Sequence, residues 1–394
     1  MNIKENIIKP NSEVGSGRVK QYILSKGRKV TQITTFCPDI IGPGPAHIYV
    51  IEDEALIMVD TGIPTHMAKK IFYYWRNQPI PKKVKDLPDD HSEDELVTGL
   101  KAAGYSLKDI EFIIITHGHP DHYLMGNSIV EKSRARVSSH VMDTDRICNP
   151  WAISRSVFEG RPRYKAFGMP LPKSSVYEYH KEAVKESFSL SLKVDHPVAM
   201  DGFLSLNGLQ SNFIRVNHSP GHSPGSICLR IGSEEEEENI LICGDVLLYP
   251  ITPHPNDLVT YLRTLDNLKQ MRKITLSLPA HGRNIRDFYG RIDFLKKHHR
   301  CRLEFTYNAC QKPKTPWEIA SMPRYFDVFV DPAKFNPMAG NEAFVHIRLL
   351  EMAKGVYRSS MDGAVHYFKN TGEKFDHVYR RILEIIDDRN STIL

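Results

Sequence analysis

The stretch Thr116-His117-Gly118-His119-Pro120-Asp121-His122 decides the fold, and it follows directly on the apolar run Phe112-Ile113-Ile114-Ile115. The apolar run has the length and β-branched composition of a fully buried strand. Four of the residues after it, three His and one Asp, can bind a metal ion. Gly tolerates unusual φ values and Pro prevents a strand or helix from continuing, so the chain can turn these side chains toward common points. The stretch therefore predicts a metal site at the end of a buried strand, whereas a polar turn of locally hydrogen-bonded histidines is the simpler alternative.

Three more candidate ligands have a similar setting. His222 lies in a Pro-Gly turn, Asp245 follows the apolar run Ile240-Leu241-Ile242-Cys243, and His281 follows a predicted strand at Ile274 to Leu278. Ends of strands can bring distant residues to one rim of a scaffold. Two divalent ions held by five His and two Asp would keep a net positive charge and favour a bound hydroxide, which is a nucleophile at neutral pH. The whole set predicts a dinuclear hydrolase.

The segments around these residues resemble the metallo-β-lactamase superfamily, in its glyoxalase-II-like branch. In chain order they are Asp60-Thr61-Gly62, Thr116 to His122, Pro220 to Gly225, Gly244-Asp245 and Pro279 to Gly282. The resemblance covers about residues 33 to 300 and implies an α/β fold, an αββα sandwich.

The same resemblance implies how the ligands divide between two metal ions. It implies one ion on His117, His119 and His222. It implies the other on Asp121, His122 and His281, with Asp245 bridging the two. Zn is the first expectation for both ions, and Fe or Mn also suit such donors. Asp60 would orient a ligand, or would only cap the end of its strand.

The chain of 394 residues exceeds the usual limit of about 250 to 300 for one core, so we predict more than one domain. Residues 1–30 read as a partly ordered lead-in and residues 31–305 as the catalytic domain. Within it, residues 141–190 read as an irregular helical insertion that is rich in Arg. This insertion is either a basic lid over the site or a solvated face. Residues 306–394 resemble the winged-helix extension of the lactamase-β-like subgroup.

Composition and charge limit which functions and which cell compartment are expected. The net charge of +5 permits an anionic substrate and is too small for a polybasic nucleic-acid or membrane protein. The longest apolar runs are strand-sized, so we expect no membrane span. The N-terminus lacks the apolar core of a signal peptide, and the six Cys have no paired short spacing. These features predict a cytoplasmic protein with reduced thiols.

Several roles stay open at this point. We predict Asp121 and Asp245 as catalytic, together with Tyr249 and His254, which follow Asp245 and would either contact the substrate as oxyanion donors or pack a loop. His218 lies four residues before His222 but lacks a flanking Gly, so we predict a structural role for it.

The predicted substrate is a small anionic acyl compound, a thioester of coenzyme A or glutathione type, with a lactone or ester as an alternative. The winged-helix resemblance adds RNA as a second candidate partner, through endoribonuclease activity. It also adds a homodimer through the C-terminal domain. A winged-helix protein that binds nucleic acid without catalysis is the non-enzyme alternative, although the helix predicted at 341–354 offers only Arg348 and Lys354 as cations.

Overall fold

A computed structural model describes most of the chain, which forms two units. The described residues are 3–12, 15–38, 43–74, 79–149, 161–171, 190–199, 201–326 and 328–388. The first unit comprises Met1–Ser154, Ser175–Pro253 and Met271–Phe288, and the second comprises Arg155–Ser174, His254–Gln270 and Tyr289–Leu394. The predicted insertion at 141–190 lies partly outside the described residues, because 150–160 and 172–189 are not among them.

The first unit is built on an eight-stranded sheet whose strands lie in chain order. Strands β1 to β5 pair antiparallel, whereas β5 to β8 pair parallel. The strands are β1 (Lys4–Lys9), β2 (Val19–Ile23), β3 (Lys29–Thr35), β4 (Ala46–Glu52), β5 (Leu56–Val59), β6 (Ile110–Ile115), β7 (Arg136–His140) and β8 (His196–Val198). Parallel pairing places the carboxyl ends of β5, β6 and β7 at one edge of the sheet.

A second sheet of the first unit has five strands in the order β13-β12-β11-β10-β9. Strands β9 to β12 pair antiparallel, and β12 pairs parallel with β13. The strands are β9 (Gly202–Leu206), β10 (Leu209–His218), β11 (Ile227–Ile231), β12 (Asn239–Gly244) and β13 (Ile274–Pro279). The parallel pair again brings two strand ends, those before Asp245 and His281, to one edge.

The core of the first unit lies on both faces of the large sheet. Along β6, Phe112 and Ile114 belong to a cluster shared with strands of the second sheet, such as Leu229 of β11. Ile113 and Ile115 face the other way, into a cluster that also holds residues of helices. This alternation follows from the two-residue period of a strand, and full burial on both faces explains why β6 is apolar throughout.

Helices of the first unit lie along the connections of the large sheet. They are α1 (Thr65–Ala68), which continues as a π-helix at Lys69–Tyr74, α2 (Lys82–Lys85), α3 (His91–Ala102), a 3₁₀ turn at Leu107–Asp109, α4 (Pro120–Tyr123), α5 (Gly126–Ser133) and α6 (Val141–Cys148). Leu96 and Leu100 of α3 and Ile129 of α5 pack into the outer cluster of the sheet. Two packed sheets with helices on an outer face confirm the predicted α/β sandwich class.

The N-terminal segment differs from the expected lead-in. Strands β1 and β2 form the edge of the large sheet, and Val19 and Tyr22 are fully buried. The edge is hard to recognise in the sequence, because four of the six residues of β1 are Lys, Glu or Asn and the two Ile are adjacent, so the strand shows no alternation. Lysines and other charged residues are common on edge strands, where they discourage pairing with another chain.

The second unit is mainly helical and carries one β-hairpin. Its elements are α7 (Arg161–Ala166), α8 (Leu258–Lys269), α9 (Phe288–Ala309), α10 (Pro316–Ala320), α11 (Pro337–Met352), β14 (Val356–Met361), β15 (Ala364–Lys369) and α12 (Phe375–Asp387). The hairpin turns at Asp362-Gly363, where both residues have positive φ, as a tight two-residue turn requires. The order of helices and hairpin is the expected one, while the winged-helix class and the domain limits 31–305 and 306–394 stay predictions.

Two further expectations concern membranes and thiols. Within the described residues, no helix combines the length and the apolar character that crossing a bilayer requires. All six cysteines are free thiols; Cys148 and Cys301 are exposed and the other four are buried.

Candidate metal centre

Asp60 organises the edge where β5 and β6 end. It follows β5 with a positive φ of 59°, and its carboxylate accepts hydrogen bonds from the backbone N–H of Thr116 at 2.7 Å and from the Thr116 hydroxyl at 2.8 Å. Its Oδ2 also lies 2.8 Å from Nδ1 of His122. A non-glycine residue in this conformation is strained, and such strain persists where the surroundings over-determine it.

This carboxylate fixes the ring orientation of two predicted ligands. His122 donates its Nδ1 proton to Asp60, so Nε2 is the ring atom that is left to bind a metal ion. The Thr116 hydroxyl donates its only proton to Asp60, so it accepts a hydrogen bond from the Nδ1–H of His117, 3.2 Å away. Nε2 of His117 is then left with a lone pair. The role expected for Asp60, orienting a ligand, thus extends to one ligand of each predicted ion.

Three histidines converge in the first predicted ligand group. Nε2 of His117 lies 3.0 Å from Nδ1 of His119 and 3.2 Å from Nε2 of His222, and the His119 and His222 atoms are 3.0 Å apart. His117 and His119 are two residues apart in extended chain and therefore project to one side. His222 arrives from the loop after β10, on the second sheet.

The second predicted group lies beside the first. Nε2 of His281 is 3.4 Å from one oxygen of Asp121, and Nε2 of His122 is 3.8 Å from the other. His281 is held by its Nδ1, 3.0 Å from the carbonyl oxygen of Gly44, so its Nε2 also faces the group with a lone pair.

Asp245 lies between the two groups. Its Oδ2 is 3.7 Å from Nε2 of His222 and 3.8 Å from Nε2 of His122, while its Oδ1 is 3.8 Å from Nε2 of His281. The structure thus brings all seven predicted ligands together and places Asp245 between the two groups, while its role as a bridge between two ions stays a prediction.

Buried polar atoms without partners indicate that the site fits cations. Nε2 of His122, Nε2 of His281 and Oδ1 of Asp245 are all buried and make no hydrogen bond. Leaving such atoms unpaired is costly, and buried polar groups in proteins normally have partners. Three overlapping triads have ligand-capable atoms that lie within 4.8 Å of one another. They are His117, His119 and His222; His117, His122 and Asp245; and Asp121, His122 and His281. These triads share His117 and His122, and two divalent ions held among them would satisfy the buried atoms.

The electrostatics of the two groups agree with this fit. Burial and the neighbouring imidazoles hold the pKa of His117 well below its usual range and lower the pKa of His119 to about 3, so both rings stay neutral as ligands require. Burial opposes a charge on His122, yet nearby carboxylates, Asp60 first, raise its pKa to about 10. The second group thus demands positive charge, which a divalent ion would supply in place of protons.

Asp143 is a site residue that the sequence analysis missed. It is fully buried, and its carboxylate accepts from the backbone N–H of Gly118 at 2.8 Å and of Gly225 at 3.0 Å. The Ser223 hydroxyl donates to it at 2.5 Å. Asp143 therefore ties the loop that carries His117 and His119 to the loop that carries His222. Its place just after strand β7 was the available signal, since the ligands also follow strands.

We expect Asp143→Asn to lower hydrolytic activity and metal retention by about 10- to 100-fold, as loss of a partner that orients ligands commonly does. An amide has one oxygen and one NH2 group, so it can accept only one of the two backbone N–H hydrogen bonds. One of the two loops therefore loses its anchor. Asp145→Asn, on the exposed side of the same helix, is the matched control. Activity within two-fold of wild type for Asp143→Asn, measured together with bound metal, would contradict this role.

Tyr249 and His254 lie in different units. The Tyr249 backbone pairs with the loop of His281: its carbonyl accepts from the Arg283 N–H at 2.6 Å, while its side chain is 41% exposed. Nδ1 of His254 lies 3.0 Å from Oε2 of Glu342 in the second unit. Contact of Tyr249 and His254 with the substrate stays a prediction.

His218 lies outside the two ligand groups. His218 bonds the Pro224 carbonyl at 2.8 Å and stacks on His140, with ring centroids 3.8 Å apart. In the second unit, ligand-capable atoms of His298, His299 and Glu342 also cluster. There the carboxylate of Glu342 already binds Arg302 at 2.8 Å and His254 at 3.0 Å.

The comparisons with known proteins agree with this geometry. The sequence pattern described as the metallo-beta-lactamase superfamily matches residues 41–290. A probable metallo-hydrolase, YqjP of Bacillus subtilis, is 22% identical over 348 residues, covering 84% of this chain and 95% of the relative. An N-acyl homoserine lactonase of Bacillus cereus is 25% identical over 225 residues, 55% of this chain and 71% of the relative. An atrochrysone carboxyl ACP thioesterase, AgnL7 of Paecilomyces divaricatus, is 38% identical over 79 residues, 20% of this chain and 24% of the relative.

Solved structures show the same fold. A metallo-beta-lactamase family protein of Thermus thermophilus superimposes with a TM-score of 0.63 at 21% identity, covering 86% of this chain and 98% of that one. A beta-lactamase domain protein of Burkholderia ambifaria gives a TM-score of 0.63 at 19% identity, covering 91% and 96%. The match over 41–290 and the convergent His and Asp groups lead to one conclusion: this chain belongs to the metallo-beta-lactamase superfamily and is a metallo-hydrolase.

Proposed function

We propose that the protein hydrolyses an anionic acyl substrate, a thioester of coenzyme A or glutathione type, with two divalent metal ions. The observation that carries the proposal is the position of Asp245, whose two oxygens lie within 3.8 Å of ligand atoms from both groups. When bound, two such ions activate water near neutral pH and polarise the carbonyl that is attacked.

The residues of the chain hold this machinery in place. Asp60 keeps lone pairs of His117 and His122 directed into the site, and Asp143 joins two ligand loops. Preorganisation of this kind avoids reorienting dipoles during the reaction. His119 is only half-buried, whereas His117, His122 and His281 are no more than 1% exposed, so the substrate approaches from the His119 side.

Two relatives support an acyl substrate. A lactonase and a thioesterase both cleave a bond from an acyl carbon, to oxygen in one case and to sulfur in the other. The net charge of +5 suits an anionic substrate. A lactone is the second candidate substrate, because the lactonase likeness covers more of this chain than the thioesterase likeness does.

The test is an assay of the purified protein against thioesters, lactones and simple esters, with and without a chelator. We expect turnover of at least one thioester, its loss on chelation, and its return after addition of Zn²⁺, Fe²⁺ or Mn²⁺. His222→Ala should abolish the same turnover. Turnover that survives chelation, or activity on lactones without any on thioesters, would count against the thioester proposal.

Single-stranded RNA belongs in the same assay. Helix α11 buries most of its residues, including Val345, Ile347 and Leu349. A helix that reads a nucleic-acid groove needs an exposed basic face, which α11 does not offer. This argues against a winged helix that reads DNA, whereas cleavage of RNA by wild type but not by Asp245→Ala would favour the endoribonuclease alternative. The homodimer through the C-terminal region remains a separate proposal, which light scattering of the purified protein would test.

A further inference from the structure

The second unit contains a cavity of about 680 Å³ that holds three arginines. Arg163 of α7, Arg348 of α11 and Arg358 of β14 line it, and the N-terminus of α8 forms another wall. Cavities of roughly 300 to 1,000 Å³ are typical of small-molecule sites in proteins. Neither the predicted ligands nor the proposed hydrolysis uses this cavity.

Positive charge in the cavity exceeds negative charge. Arg348 and Arg358 share one carboxylate, that of Glu351, at 2.9 and 3.2 Å. Each guanidinium has five N–H donors, so the shared carboxylate holds both groups in place without using all of their donors. The other acid, Asp257, uses one oxygen to cap α8, where it accepts from the Thr260 N–H at 2.7 Å.

Arg163 adds a third positive charge to the cavity. Its guanidinium lies 5.3 Å from the ring centre of Phe167 and 5.0 Å from that of Phe344. Among the residues that the structure describes, no acid pairs with it. Counted over the described residues, three guanidinium charges against two carboxylates leave a net charge of +1, and the positive end of the α8 dipole adds to it.

The remaining wall is apolar and lies along one face of α11. It comprises Phe344, Val345, Leu349 and Met352. Planar guanidinium groups bind phosphate oxygens in pairs, whereas an apolar wall favours a flat organic body. Inorganic phosphate alone would leave that wall unused.

We propose that this cavity binds an organic phosphate of nucleotide size, with its phosphates among the three arginines and its ring against α11. This site is separate from the proposed hydrolysis and does not depend on it. The ligand class follows from the combination of an excess of guanidinium groups with an apolar wall in a cavity of this volume.

Calorimetric titration of the metal-loaded protein with ADP tests the proposal, with adenosine and inorganic pyrophosphate as comparison ligands. We expect ADP to bind, and the other two to bind at least ten-fold more weakly. Arg163→Gln and Arg348→Gln should each weaken ADP binding at least ten-fold. Arg380→Gln, an exposed position on α12, removes the same charge and should bind like wild type.

His222→Ala separates this cavity from the metal centre, because phosphates also bind metal ions. We expect His222→Ala to retain ADP binding. Loss of binding in His222→Ala with normal binding in both arginine variants would place the phosphates at the metal centre and overturn the proposal. Absence of ADP binding to wild type, or pyrophosphate binding as tight as ADP, would also overturn it. Arg163 is exposed, so Arg163→Gln decides the question if Arg348→Gln fails to fold.

Discussion

Asp245→Asn is expected to lower hydrolytic activity roughly a thousand-fold, which corresponds to about 4 kcal/mol in the activation barrier. The side chain keeps its shape but loses the charge that stands between the two ligand groups, within 3.8 Å of His122, His222 and His281. Two divalent ions that share one carboxylate repel each other strongly once that charge is removed. Steady-state kinetics and elemental analysis of the same sample measure both effects.

Asp145→Asn is the control for this variant too, since it removes a carboxylate from an exposed position of the same unit. It should retain full activity and metal content. An Asp245→Asn protein that folds, holds as much metal as wild type and turns over substrate within ten-fold would show that the bridging position is not essential.

Gly282→Ala is expected to destabilise the protein and to displace His281. Gly282 has a φ of 82°, and an added Cβ would lie 2.3 Å from the carbonyl oxygen of Tyr249. Because that oxygen belongs to the backbone and accepts from the Arg283 N–H, relief of the clash must move the loop. The positive φ alone costs an alanine about 1 to 2 kcal/mol. We expect a larger loss of unfolding free energy in urea, together with a large fall in activity.

Gly104→Ala isolates the part of this effect that comes from the positive φ. Gly104 has a φ of 90°, and an added Cβ would meet no atom within 4 Å. It therefore shares the backbone strain of Gly282→Ala without the clash. We expect Gly104→Ala to keep full activity with a modest loss of stability. Equal stability and activity for the two variants would contradict the importance of the contact with Tyr249.

The sequence predicted the structure best where metal-binding residue types stand next to a recognisable strand or turn. The run Phe112 to Ile115 reads as a buried strand because both its faces are covered, one by the second sheet and one by helices. His117 to His122 and the lone His222, Asp245 and His281 stand beside Gly or Pro at strand ends, so their convergence could be predicted from spacing and turn residues.

Other features depend on contacts that no local pattern records. Asp143 appears in the sequence as one acid in an Arg-rich stretch, and only the folded chain shows Gly118 and Gly225 at its carboxylate. The edge strand β1 looks like a polar lead-in because edge strands carry charge. Tyr249 and His254 are five residues apart in the chain, yet one pairs with the His281 loop and the other with Glu342.

Metal content per chain is the most direct test of the account. Inductively coupled plasma mass spectrometry of the purified protein should find about two divalent ions per chain in wild type, as a site with two ligand groups and a bridging carboxylate requires. His222→Ala and His281→Ala should each hold fewer, since each removes a ligand of a different group. A wild-type protein that retains less than one ion per chain after equilibration with Zn²⁺, Fe²⁺ or Mn²⁺ would contradict the dinuclear centre.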